Sequence, residues 1–140
     1  MAGISHLPTL LATMQPSLSP GSVVFCALQT PDWVQIAALN PEVIVREAEA
    51  LTVVIPISVA RASGLATEPQ MRRITLCVHS DLEAVGLTAA FAVALAEAGI
   101  SANVVAGYHH DHIYVPDRQA QDAMRVLTAL QARSAREMTA

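Results

Sequence analysis

The chain contains no lysine: all eight of its basic residues are arginines. This excludes chemistry that depends on a lysine amine, including Schiff-base catalysis and the lysine of a phosphate-binding P-loop. Positive charge is also scarce, with 8 basic against 12 acidic residues, a formal charge of -4 and a pI near 5.6. Nucleic-acid binding depends on clustered cations, so no nucleic-acid partner is expected. Aromatic residues make up 4% of the chain and charged residues 14%, while 53% are apolar. At 140 residues that composition fills a core without disulfides or a metal. There are only two cysteines, Cys26 and Cys77, both set in apolar runs (VVFCAL and ITLCVH). Both are expected to be buried as small hydrophobes and to suit a reducing cytoplasm. The N-terminus lacks the basic and long apolar regions of a secretory signal, which points to a cytoplasmic protein. The apolar run 84–107, in which Glu97 is the only charge, is broken at Glu97-Ala98-Gly99 into a helix of about 15 residues and a strand, short of the ~20 residues that a membrane span needs.

What is present is a clear alternation of patterns. Leu7, Leu10, Leu11, Met14 and Leu18 recur at helical spacing up to Pro20-Gly21. Ser22 to Leu28 reads as a strand, and Thr30 to Pro41 as a loop or irregular helical turn carrying the single tryptophan, Trp33. Val43–Arg46 and Leu51–Ile55 form a hairpin about Glu47 to Ala50, followed by a short helix closed by Gly64. Arg73 to Pro116 then reads as strand, helix, strand, tight hairpin and strand, and Asp117 to Arg133 as an amphipathic helix with Ala120, Met124, Leu127 and Leu130 on its apolar face.

These patterns give an α+β chain of ferredoxin-like βαββαβ type with antiparallel sheets. The two halves repeat imperfectly: VVFCALQT matches ITLCVHSD, and LTVVIP followed by a helix matches HIYVP followed by a helix. With Thr67 to Gln70 as the linker, the division falls into residues 1–68 and 69–140. Beyond the last helix nothing resembles a strand, so the fourth strand of the second unit must come from the first half or from a second chain.

Two segments carry more polarity than a core requires. Ser80, Asp81, Leu82 and Glu83 have the spacing of a capping box, which would seal the N-terminus of the following helix. Left uncapped, the same amides, with Gly86 in the first turns, would receive a small anion. His109, His110, Asp111 and His112 form the other segment. Imidazole and carboxylate are metal ligands, so a metal-binding protein or metal-dependent enzyme using His109 to His112, with His79 as a further donor, is the alternative to a polar hairpin lining a pocket. Strand parity sends neighbouring side chains to opposite faces and disfavours that alternative.

The segments SDLEAVGL, LAEAGIS and GYHHDHIYV closely resemble the ACT domains of the CASTOR-like group, and VVFCAL and LTVVIP resemble the partner half of small bacterial tandem-ACT proteins. The resemblance implies two ACT-like modules, a homodimer, no enzymatic activity and no cofactor. It also implies a small-molecule ligand, typically an amino acid, whose occupancy is passed to a protein partner. By position it assigns Ser80, Asp81, Val85, Gly86 and Leu87 to the ligand-binding turn, and Gly107, Tyr108, His109, His110 and Asp111 to the covering loop. His109 and His110 stand where the group has hydroxyl residues, so an arginine side chain would meet imidazoles. On this reading a larger side chain at Gly86 blocks the site at little cost to the fold.

Overall fold

The computed structural model describes residues 3–139. Helix α1 (Leu7–Ala12) is short, opened by the His6 side chain accepting from the Thr9 amide, with Pro8 tolerated in its first turn. The chain does not stay helical to Leu18, as the leucine spacing suggests. Pro16–Leu18 is a strand, β1. It pairs antiparallel with β5 (Met71–Leu76), setting Pro16 opposite Leu76 and Leu18 opposite Ile74.

The contacts group the described residues into two units, 20–71 and 3–19 with 72–139. In the unit formed by 20–71, β2 (Val23–Leu28) pairs antiparallel with β4 (Leu51–Pro56), which in turn pairs with the edge strand β3 (Val43–Arg46). Met71 extends this sheet opposite Val23. Helix α2 (Trp33–Leu39) is regular rather than an irregular turn. The Asp32 carboxylate accepts from the Gln35 amide at 2.8 Å, and Asn40 ends the helix in the left-handed region. With α3 (Ile57–Ala62), it covers a core of Val24, Cys26, Leu28, Ile36, Leu39, Leu51, Val53, Ile55 and Ala60. On β2 and β4 these core positions alternate along the strand, as burial of one sheet face requires.

In the second unit the strand order is β1, β5, β7 (Asp111–Pro116), β6 (Asn103–Ala106). Its helices are α4 (Leu87–Glu97) and α5 (Ala120–Thr139), the latter preceded by a 3-10 turn at Asp117–Gln119. The missing fourth strand is therefore β1, taken from the beginning of the chain. Burial explains the arrangement: Leu10 and Met14 are fully enclosed with Ile74, Leu76, Phe91, Leu95, Ile113 and Leu127. Each such side chain contributes roughly 1.5–3 kcal/mol on burial, enough to hold an N-terminal segment against a distant part of the sequence. Each unit follows the βαββα order, and the second draws its fourth strand, β1, from the start of the chain.

Candidate functional site

The turn between β5 and α4 is built differently from a capping box. Helix α4 begins at Leu87, and its N-cap is Gly86, with φ at 105° and no side-chain cap. The Asp81 side chain instead accepts from the Glu83 amide at 2.8 Å, and the Asp81 carbonyl accepts from the Ala84 amide at 3.0 Å. Asparagine and aspartate favour such local turns over helix. The box residues thus form a separate turn several residues ahead of the helix, and the first amides of α4 stay without a side-chain partner.

The N-terminal segment braces this turn. Ile4 pairs with Ser80 in a parallel bridge, its amide donating to the His79 carbonyl and its carbonyl accepting from the Asp81 amide, both at 2.8 Å. The Asp81 amide is therefore already engaged.

The hairpin between β6 and β7 is a four-residue loop, 107–110, closed by the Gly107 amide donating to the His110 carbonyl at 2.8 Å. Tyr108, His109 and His79 stack edge to face, with ring centroids 5.1 and 5.0 Å apart. His110 lies within hydrogen-bonding distance of the Val78 carbonyl, at 3.3 Å, and its ring sits 6.5 Å from that of His79. His112 points elsewhere and shares a 2.8 Å hydrogen bond with Thr75. Among the described residues no three His, Cys, Asp or Glu side chains come together as a metal set.

Two small cavities share the wall formed by Ser80, Asp81 and Leu82. One, of about 130 Å³, is closed by Gly3, His79 and Tyr108; the other, of about 110 Å³, by Ala84, Leu87, Thr88, Ala106 and Asp111. Asp111 is half-buried and hydrogen-bonded by Ser80. Desolvation pushes its carboxyl above the usual carboxylate range, against the opposing pull of His112, of the Ser80 hydrogen bond and of His110.

Of the residues expected at the site, Ser80, Asp81, Leu87, Tyr108 and Asp111 line these two cavities, whereas His109 and His110 line neither and approach through their ring contacts with His79. Val85 is 83% exposed and lines neither cavity, and Gly86 faces Leu7 rather than a cavity. Gly107 serves to close the hairpin. Thr88 and Ala106 join the wall without having stood out in the sequence, where an alanine-rich helix and strand give no signal. Cys77 also differs from expectation. It lies just past the end of β5 and is exposed, whereas Cys26 is buried.

Residues 2–72 and 69–129 each match a family described as ACT domain. A Vibrio cholerae protein of unknown function and possible transport role is 46% identical, covering 89% of this chain and 95% of that one, with a TM-score of 0.81. The regulatory subunit of aspartate kinase from Thermus flavus shares the fold at 12% identity and a TM-score of 0.62, covering 93% of this chain and 99% of that one. The corresponding subunit from Thermus thermophilus, ligand-free, does so at 11% identity and 0.58, covering 85% and 98%. Among curated proteins none matches the sequence.

Proposed function

This chain belongs to the ACT domain family, and from that premise we propose that it is a non-enzymatic sensor of the CASTOR-like, tandem-ACT kind that binds an amino acid in its C-terminal half. In this reading the halves are residues 1–68 and 69–140. The protein works in the cytoplasm as a homodimer and passes ligand occupancy to a protein partner.

One observation carries the ligand class. Asp111, half-buried and held by Ser80, lines the same cavity as Leu87 and Thr88, the first residues of a helix without a side-chain cap. A carboxylate and a set of open helix amides are complementary to the ammonium and the carboxylate of an amino acid. Tyr108, 70% exposed and stacked on His109, is free to cover the ligand side chain, and the imidazoles of His79, His109 and His110 set what that side chain meets.

The test is a thermal-shift screen against the twenty amino acids, followed by titration calorimetry of any hit on wild type and Asp111→Asn. A ligand at about 100 times its dissociation constant stabilises by about 2.7 kcal/mol, a shift of several degrees. The expected result is a hit restricted to one or a few amino acids and lost in the variant. Silence from all twenty, or binding indifferent to Asp111, would sink the proposal.

A further inference from the structure

The two β-hairpins have the same construction. In the unit of residues 20–71, Arg46 pairs with Leu51 across a four-residue loop, and the Glu47 amide donates to the Ala50 carbonyl at 3.1 Å. In the other unit Ala106 pairs with Asp111 across its own four-residue loop, closed by the same hydrogen bond. Position by position, Arg46 corresponds to Ala106 and Leu51 to Asp111. At the ends of the loop, the second unit therefore places an anion where the first has leucine, and the first places a cation where the second has alanine.

That cation borders a separate cleft. A cleft of about 260 Å³ is lined by the loop after β2, by Trp33 and Ile36 of α2, and by Arg46 to Leu51 of the hairpin. The Arg46 guanidinium lies 5.8 Å from the centroid of the Trp33 ring, and no carboxylate among the described residues pairs with it. Stacking on an indole leaves the N–H edges of a guanidinium directed outward, in the geometry that grips a carboxylate with two hydrogen bonds. Glu47 and Glu49 also line the cleft, and the Glu47 carboxylate is engaged in accepting from the Thr52 hydroxyl at 2.5 Å. Trp33 is 64% exposed, an unusual setting for the only tryptophan in a chain rich in aliphatic core residues. The lining of the cleft includes Thr30, a β-branched residue at φ 41°. Such a backbone conformation costs about 1–3 kcal/mol and gathers at ligand clamps.

We propose that the cleft over Trp33 and Arg46 is a second ligand site, separate from the C-terminal one, that takes a small carboxylate-bearing molecule: the carboxylate on the Arg46 guanidinium and the body of the molecule against the indole. The reversed hairpin charge makes the two sites select different ligands.

Because Trp33 is the single tryptophan, its fluorescence reports this site alone. The experiment titrates the full-length protein with the twenty amino acids, their decarboxylated amines and a series of C2 to C6 mono- and dicarboxylic acids, each to 10 mM. At least one carboxylate is expected to give a saturable change in Trp33 emission, weakened about tenfold or more in Arg46→Gln. Arg46→Lys, which keeps the charge but loses the planar fork, should weaken it less, and Asp111→Asn should leave it intact. Circular dichroism of the Arg46 variants controls for folding, and calorimetry on Trp33→Phe provides a measurement independent of fluorescence. The inference is overturned if no carboxylate moves Trp33 emission saturably, if the matching amine works equally well, or if Arg46→Gln binds as wild type. Loss of the signal in Asp111→Asn with retention in Arg46→Gln would merge the effect with the C-terminal site and also overturn it.

Discussion

Ile4 and Ser80 lie side by side in a one-residue parallel bridge, so the first few residues of the chain hold a turn that the sequence places far downstream. Gly3, next to Ile4, makes this approach possible. A Cβ there would sit 2.8 Å from the Asp81 nitrogen and the Ser80 carbonyl carbon and 2.9 Å from the His79 oxygen, all of them backbone atoms that cannot give way.

Gly3→Val should therefore expel the N-terminal segment from the turn and forfeit the two hydrogen bonds of Ile4. At about 0.5–1.5 kcal/mol for each bond, the expected loss is roughly 1–3 kcal/mol, read as a lower urea midpoint with little change in slope. An unchanged midpoint would mean that the bridge adds nothing to stability. The cavity closed by Gly3 and Tyr108 should open in the same variant, with a weaker response to any C-terminal ligand.

Gly86 needs its own variant, because the expectation that a larger side chain there costs the fold little conflicts with the structure. Its φ of 105° suits glycine, and a Cβ would fall 2.8 Å from Leu7 Cδ2. Gly86→Val is then a stability mutation, costing about 1–3 kcal/mol for the backbone alone, and Gly86→Ala should share most of that cost. Equilibrium denaturation of the two variants checks this directly. Two variants as stable as wild type would show that the α4 turn rearranges freely.

How much of this was legible in the sequence depended on whether the signal was local. The β3–β4 hairpin about Glu47 to Ala50 follows from alternation and turn residues and stands in the structure as read, whereas the same signals place the last turn at Gly107 to His112 although Asp111 and His112 already pair within β7. Pro16–Leu18 does not read as a strand, because Leu18 continues the helical spacing of α1 and the partner that makes it a strand, Ile74 to Leu76, is distant in sequence. The Ser80 to Glu83 spacing matches a cap, yet an Asx-type turn at Asp81 takes the Glu83 amide instead. Trp33 looked like part of a loop because helix α2 is only seven residues long, and its caps, Asp32 and Asn40, lie outside the apolar pattern. The importance of Arg46 could not be read at all, since it depends on a ring contact from another element.

The two thiols should separate sharply by reactivity. Cys26 is buried, and that burial pushes its thiol up from the usual range; its sulfur also lies 3.6 Å from the Ala66 carbonyl oxygen. Cys77 is exposed beyond the end of β5. Reaction depends on access and on the thiolate fraction, so a chromogenic disulfide reagent should titrate one thiol quickly in native protein and the second only on unfolding. Cys77→Ser should remove the fast phase. Two fast thiols would place Cys26 outside the core.

Asp111 gives the sharpest test of the C-terminal site, because stability and binding should move in opposite directions with pH. Desolvation raises its folded-state pKa above the unfolded value despite His112, the Ser80 hydrogen bond and His110. A raised acid makes the folded state bind its proton more readily, so its contribution to stability is fully present below the unfolded value and lost as pH rises through the folded one. Asp111→Asn, a neutral isostere that can still accept from Ser80, should therefore be more stable than wild type near neutrality, with the difference closing in acid. Recognition of an ammonium group requires the charged carboxylate, so in wild type ligand affinity should fall over the same acid window in which the stability penalty disappears. Melting temperatures of both proteins from acid to neutral pH, with calorimetry of the bound amino acid on wild type, measure the two trends. Affinity that holds constant through that window would remove Asp111 from the ammonium contact, whereas a wild type that outlasts the Asn variant at neutral pH would show that the charged carboxylate has a compensating partner in the folded protein.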